Sequence, residues 1–477
     1  MTTVMEDLVK GQLKLGERKP QHLFRQNAYE GKHPLPFAPE GVSKEYEALR
    51  EMAPLPLIRL AVRTTCQRLR AGGVRTGRDE AFDADLWRIW DRNNLGSRQR
   101  IAYTNGIVHD QGLMSVWTNS KDKSTPIIRP ESPDAVYIEP DPADPFSSLW
   151  ATKSWADKDA TVSVVYYPDR WARFRSEGPG KKPVHVISGK NPLGRVPFVS
   201  FVPEIDAVAA GVSIVDSLVG PQKAIDTMRF NLLLAAQFAA YRQRIFTGYD
   251  PVVRDDNGNP VPMIDAEGNP VLDANGFAVP MVSSPGRVGV DRALVFPGEM
   301  TKVFDLDESD LKNYVTALDM LVATFAAVAQ VPPQYLIGDF KNVSGDLMVA
   351  TEATLRSFVL DLQTSYGESI KEVMRLASIA RGDKPDELVD IEVDWKDADP
   401  KNINQIASAA SQMVPNGAPL SMFLEQMPGA TPRTVQRWLK ESLQQLNRAL
   451  AGDSAAGDSG PKPEVNVEGL RGNVDNN

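Results

Sequence analysis

Val331-Pro-Pro-Gln-Tyr-Leu-Ile-Gly338 separates two long stretches of helical periodicity and sets where the chain must turn. Two successive prolines lack N–H donors and push the residue before each of them into extended backbone, so a helix ends here. Upstream, Leu311, Tyr314, Leu318, Leu321, Phe325 and Val328 form one apolar stripe. Asp307, Glu308 and Asp310 suit the positive end of that helix. Downstream, Leu355, Phe358, Leu362, Tyr366, Ile370 and Met374 mark the buried face of a third long helix, from about Gly345 to Ala380, with a bend expected at Gly367. Gln334 to Ser344 is then a loop between two long helices. Loops so placed often carry function, and a plain connection is the equal alternative.

Working toward the N-terminus, another long helix is expected from Gly220-Pro221 to about Ile245, with Ile225, Met228, Leu232, Ala235 and Phe238 at helical spacing. Proline fits a first helical position, where its missing N–H costs nothing. A short segment, Ser213 to Leu218, precedes it. Between the two helices Asp255, Asp265 and Asp273 each open a unit of the form D-x-x-G-x-x-V, with Gly258, Gly268 and Gly276 in the turns. Such units form tight turns flanked by short strands. A calcium loop would need D-x-[DN]-x-[DN]-G and a terminal Glu, which are absent.

Residues 1 to 50 carry scattered Pro and Gly and are expected to be irregular, apart from a helix over Ser43 to Met52. Helices follow at Leu57 to Arg70, closed by Gly72-Gly73, and at Asp83 to Arg92. From Ile101 to Phe201 the short β-branched and aromatic runs Leu113 to Trp117, Ala135 to Ile138, Thr161 to Tyr167 and Val196 to Val202 predict strands. Beyond the third long helix come a strand at Leu388 to Trp395 and helices at Asn402 to Met413, Pro419 to Met427 and Thr431 to Leu450. Thr431-Pro432 has the pattern of an N-cap followed by proline. The tail from Ala451 has too little apolar surface to fold.

At 477 residues the chain has room for two to four domains. Its 62 acidic residues outnumber 53 Lys and Arg, a net charge of −9, which argues against tight phosphate gripping but suits a passage through which DNA slides. No uninterrupted apolar run reaches transmembrane length, and Met1 to Gln12 lacks a signal-peptide pattern. The lone Cys66 lies in an apolar-periodic segment and is expected to be a buried small hydrophobe. Four scattered histidines (His22, His33, His109, His185) lack zinc spacing. Gly178-Pro-Gly-Lys-Lys182 and Ser188-Gly-Lys190 are expected surface turns rather than phosphate cradles. No nucleotide, hydrolase or dinucleotide motif is present, so neither catalysis, metal nor cofactor is expected. Arg59, Arg63, Arg68, Arg70, Arg75 and Arg78 form a basic stretch for DNA or a neighbouring subunit or, more in keeping with such runs, solvated faces with some interface salt bridges.

The order of these parts resembles the portal proteins of tailed double-stranded DNA phages, especially long-tailed phages of actinobacteria, from about Tyr29 to Ala380. Tyr29-Glu-Gly-Lys-His-Pro-Leu35 is similar to the family's Y-x-G-x-H-P-L. Leu86-Trp-Arg-Ile-Trp-Asp-Arg-Asn93, with Gly106 and Val116, is similar to its passage from helix to sheet, and Asn191-Pro-Leu-Gly-Arg-Val-Pro-Phe198 to its entry into the helical region. Val331 to Gly338, followed by Asn342-Val-Ser-Gly345, is the most telling match.

The resemblance implies an α+β portal fold that forms rings. It assigns residues 1–50 to an N-terminal arm, 51–205 to a mixed α/β wing, 206–247 to a first stem helix, 248–306 to a strand-rich clip and 307–330 to a second stem helix. A tunnel loop at 331–345, a long wing helix with a strand at 346–400, a helical crown at 401–450 and a disordered tail at 451–477 complete it. It also implies that Gly338, Asp339, Phe340, Lys341, Asn342, Val343 and Ser344 line a DNA channel. The implied subunit is a structural, non-enzymatic part of the virion, one of twelve in a ring at one capsid vertex, assembled in the host cytoplasm. The alternatives are another virion structural protein (an adaptor or minor capsid component) or, behind it, a nucleic-acid enzyme with an unrecognised site. Its implied partners are copies of itself, double-stranded DNA, the terminase large subunit, a head-to-tail adaptor, and the major capsid and scaffolding proteins, with no membrane.

Overall fold

The computed structural model describes residues 2–37, 44–76, 81–178, 181–204, 211–240, 244–247, 252–282, 302–305, 311–337, 345–383, 391–396, 403–427, 430 and 432–453. In chain order the first elements are α1 (Thr2–Glu30), α2 (Lys44–Met52), α3 (Leu57–Arg68), β1 (Ala71–Thr76), β2 (Ala81–Phe82), α4 (Ala84–Arg92) and α5 (Leu95–His109). A run of strands follows: β3 (Gly112–Trp117), β4 (Ile127–Glu131), β5 (Val136–Pro140), β6 (Ser148–Asp157), β7 (Ala160–Tyr166), β8 (Arg170–Ser176), β9 (Val184–Lys190) and β10 (Phe198–Phe201). Then come α6 (Ile214–Ala240), β11 (Arg244–Thr247), β12 (Lys302–Asp305), α7 (Leu311–Val328), α8 (Pro333–Ile337) and α9 (Gly345–Arg381). The last are β13 (Ile391–Trp395), α10 (Ile403–Met413), α11 (Leu420–Leu424) and α12 (Pro432–Asp453). This is a mixed α/β chain.

Two compact units divide it: Met1–His33, Leu55–Lys223 and Val322–Asn477 form one, Pro34–Pro54 and Ala224–Leu321 the other. In the first, an antiparallel sheet runs in the order β5-β6-β7-β8-β9. One face carries Tyr137, Trp150, Val165, Ala172 and Phe174, and Leu8 and Leu15 of α1 pack on it. The other face meets the sheet β10-β3-β4 through Val136, Ala151, Leu113, Val196 and Phe198. A third sheet, β13-β1-β2, is built from segments more than 300 residues apart, with Val74 opposite Val393.

The helix α9 joins these parts. Tyr366 stacks on Tyr103 of α5 with ring centroids 5.2 Å apart, and Phe201 meets both rings. α5 can approach because residue 106 has no side chain: a Cβ there would lie 2.8 Å from the Phe201 carbonyl oxygen and 2.5 Å from the Tyr366 hydroxyl. α9 continues through Gly367, which is buried near Trp395.

Several expectations are corrected. Residues 2–30 are one 29-residue helix rather than irregular chain. Its Pro20 and glycines read as breakers, but packing of one apolar face on the sheet outweighs their unfavourable propensities. Gly72 and Gly73 lie inside β1, beside a bulge, and do not close α3, which ends at Arg68. α5 occupies the start of the region expected to be strands. α6 runs unbroken from Ile214 through Pro221 and stops at Ala240. An interior proline costs one backbone bond, and burial of Val215, Leu218 and Ile225 on either side offsets it. The expected N-cap Thr431, the segment 384–390 and the tail beyond residue 453 lie outside the described residues.

Candidate functional site

The seven residues expected to line a channel, Gly338 to Ser344, lie outside the described residues. Both flanks of these residues are described. Gln334 to Ile337, expected to belong to the loop, are helical in α8. That helix starts at Pro333, a residue whose missing N–H costs nothing at a helix start. α7 stops at Val328, and Gln330 turns the chain with φ 55° before the two prolines. Val331 is buried and fixes this corner, while α8 carries Tyr335 toward the start of α9.

There the flanks are tied together. The Tyr335 hydroxyl donates to Glu352 Oε1, so the residue three positions before the loop grips one on the first turns after it. Arg68, in the last turn of α3, donates from Nη2 to both the Tyr335 oxygen and Glu352 Oε1 at 3.1 Å. Its guanidinium also lies 5.9 Å from the Tyr335 ring centroid. Burial alone would raise the Glu352 pKa, but hydrogen bonds from Arg68 and Tyr335 and the Arg68 charge outweigh it and bring it below the ordinary glutamate range. Burial, then the hydrogen bond to Glu352, raises the Tyr335 pKa. The triad stays charge-paired at neutral pH and holds both roots of the loop.

Two members of the basic stretch are therefore structural. Arg68 serves this clamp, and Arg75 pairs with Asp394 at 2.9 Å across β1 and β13. Arg59 lies over the Tyr29 ring, Arg63 and Arg70 are exposed, and Arg78 falls outside the described residues. Sequence alone did not reveal Tyr335 or Glu352; the only signal was a tyrosine between a helix breaker and a loop.

A second polar centre was missed with α1. Arg25 is buried, grips Asp216 of α6 through Nε and Nη2 at 3.0 and 2.6 Å, and donates from Nη1 to Asp110 and the His109 carbonyl. His22 Nδ1 lies 2.6 Å from Asp134 Oδ1, and its ring is 5.0 Å from that of His109. Burial, reinforced by the neighbouring His22, pushes the His109 pKa down to about 4. Cys66 is buried as expected, and burial pushes its thiol up to about 11.

In the second unit, residues 252–282 form a three-sided knob. Val253 N–H donates to the Met281 carbonyl, Met281 to Val261 and Val261 to Val253, closing a ring of three bonds. Met263, Val279 and Val271 close another in the same way. Each turn is held by an aspartate: Asp255, Asp265 and Asp273 accept backbone N–H groups two and four residues on. Gly258, Gly268 and Gly276 take φ of 83°, 88° and 84°, as the repeats require. The bridging positions Pro260, Pro262, Pro270 and Pro280 have no N–H to offer a further strand. With these carboxylates engaged in turns, the turn reading holds. Among the described residues no cluster of His, Cys, Asp or Glu could hold a metal ion.

α7 is long and apolar enough, by length and composition only, to cross a membrane, although its sequence is not an uninterrupted apolar run. Only 11% of it is buried within the chain. Leu311, Tyr314, Leu318 and Leu321 are half-buried and Phe325 is buried, while Val315, Met320 and Val328 are exposed.

The family model for phage portal proteins of the SPP1 Gp6-like type matches residues 14–447. The portal protein of Mycobacterium phage D29 is 25% identical over 374 residues, covering 75% of this chain and 72% of its own length. That of Mycobacterium phage L5 is 25% identical over 393 residues, covering 79% and 76%. A match across nine-tenths of the sequence places the chain in the SPP1 Gp6-like family of phage portal proteins.

Proposed function

We propose that this chain assembles into a homo-oligomeric, dodecameric ring at one capsid vertex, through which DNA enters during packaging and leaves during ejection. The single observation that supports the ring most is α7, on which Val315, Met320 and Val328 are between 41% and 72% exposed in one copy. Neighbouring copies would hide that surface, as a closed ring of heterologous contacts allows. In this reading α6 and α7 supply the stem and residues 248–306 the clip. Residues 51–205 and α9 form the wing, and the helices after residue 400 the crown. The loop Gly338 to Ser344 approaches the duplex, its roots set by the Arg68 clamp. The net charge of −9 keeps DNA from sticking to the walls. The terminase large subunit and later the head-to-tail adaptor dock on the ring, and the major capsid and scaffolding proteins surround it. Its action is mechanical rather than enzymatic, and assembly takes place in the host cytoplasm.

The test is localisation in particles. A gold-labelled tag on the chain should mark one vertex per particle, the vertex that carries the tail. Label spread over the shell, or present on tails alone, contradicts the proposal.

A further inference from the structure

Leu8, Gly11, Leu15, His22, Arg25 and Ala28 are buried along one face of α1, at the spacing of a single helical stripe. That face changes character along its length. In the first half Leu8 and Leu15 join the apolar cluster with Tyr137, Trp150 and Phe174, and Gly11 lets the helix lie against Thr152. In the second half the buried positions are ionisable. Arg25 is held by Asp110 and Asp216, and His22 by Asp134. Apolar contacts are indifferent to pH, so only the second half can respond to protons.

A chain of hydrogen bonds fixes where the proton sits on His109, the α5 residue against this half. Gln26 Nε2 donates to Glu30 Oε1 at 2.6 Å, so the Gln26 amide oxygen is the atom 3.1 Å from His109 Nε2. That ring nitrogen therefore carries the proton and donates. Nδ1 is left as a bare lone pair, fully buried, and among the described residues nothing hydrogen-bonds to it. A proton added there would stand as a buried cation without an acceptor. The charged groups around it are already committed. α1 supplies His22, with its ring 5.0 Å away, and Arg25. Asp110 at the end of α5 and Asp216 of α6 serve Arg25, and Asp134, just before β5, serves His22. Burial opposes a charge on His109 most and His22 next; Asp134 favours it, and Arg25 opposes it.

We propose that α1 is an acid-released latch: a proton on His109 drives the helix off α5 and the sheet, while the strands beneath it and α9 stay folded. Release of α1 is the route by which that proton gains water, because Gln26, His22 and Arg25, which crowd the ring, all belong to α1. Little apolar area resists the move. Among the described residues of α1 only Leu8, Leu15 and Ala28 are buried apolar side chains, in a 29-residue helix that contains Pro20. Elements with few buried apolar contacts open before the rest of a fold. The latch is independent of the ring reading.

Hydrogen exchange of the full-length chain at pH 7 and pH 5 tests it, with each amide corrected for its intrinsic rate at that pH. Protection of residues 16–30 should fall about twentyfold, as for a histidine whose pKa rises from about 4 to the ordinary 6.5 on release. β7 and α9 should keep theirs. His109→Gln is neutral at both pH values and can still donate to Gln26, so it should abolish the fall. The profile of the unsubstituted chain gives a second reading that does not depend on how that variant folds. Loss of protection should begin near pH 6.5, whereas release through Asp110, Asp134 or Asp216 would begin only below about pH 4.5. Equal protection of α1 at both pH values overturns the latch. A fall shared equally by β7 and α9 overturns it as a loss of the whole fold. A fall that persists in His109→Gln, or that begins only below about pH 4.5, overturns the role of His109.

Discussion

Arg68 and Glu352, 284 positions apart in sequence, form a salt bridge at 3.1 Å with both side chains largely buried. The pair joins α3 to the first turns of α9, and Tyr335 completes it from the other root of the loop. A buried pair is costly to break from one side, because the remaining charge is left without a partner.

Arg68→Ala should therefore lower stability by about 2 kcal/mol, and Glu352→Gln by less, since Gln still accepts from Tyr335. Chemical unfolding of the two single variants and the double variant should give a coupling energy of about 1 kcal/mol or more. Strict additivity would mean that the three side chains do not act together.

Acid should weaken the junction of α1 with α5 before it reaches the clamp. The His109 pKa falls to about 4 when folded, mainly through burial. The unfolded chain therefore binds the proton more readily, and stability falls as pH drops from about 6.5 to about 4, on the order of 2 kcal/mol. Urea midpoints at pH 7 and pH 5 should differ, and His109→Gln should shrink that difference. The Glu352 contribution is present above the ordinary glutamate range and is lost only as pH falls through its lowered folded value. An unchanged pH dependence in His109→Gln would contradict this account.

Gly106→Ala should cost at least about 2 kcal/mol, because its Cβ would meet a backbone carbonyl that cannot rotate away. Tyr366→Phe in the same background should recover part of the loss by removing the nearer oxygen. Thermal melts of the single and double variants check this.

Cys66 should be almost inert to a thiol reagent in the native protein at pH 8. It is buried and its thiol is pushed up to about 11, so only on the order of 0.1% is thiolate. Labelling should become fast in urea. Immediate labelling in buffer would place the thiol at the surface.

The long helices were legible because their apolar stripes persist over many turns, and the Asp-Gly turns because their chemistry is local. The missed parts depended on distant partners. Residues 2–30 become a helix by packing on a sheet whose strands begin a hundred residues later, which no local window over Pro20 or Gly16 can register. Gly72-Gly73 has the look of a helix stop, yet it pairs with β13 more than 300 residues away. Of the candidate site, the end of α7 at Val328 was readable from Pro332 and Pro333, whereas Gly338 to Ser344 lie outside the described residues. The clamp was not readable, because Arg68, Tyr335 and Glu352 carry no periodic signal and meet only when folded.

Native mass of the purified chain, with negative-stain images of the same sample, tests the central claim most directly. The account expects a species near twelve times 52.4 kDa, seen as rings with a central hole. A uniform monomer or two-fold dimer, under conditions where the same chain is incorporated into particles, would contradict it.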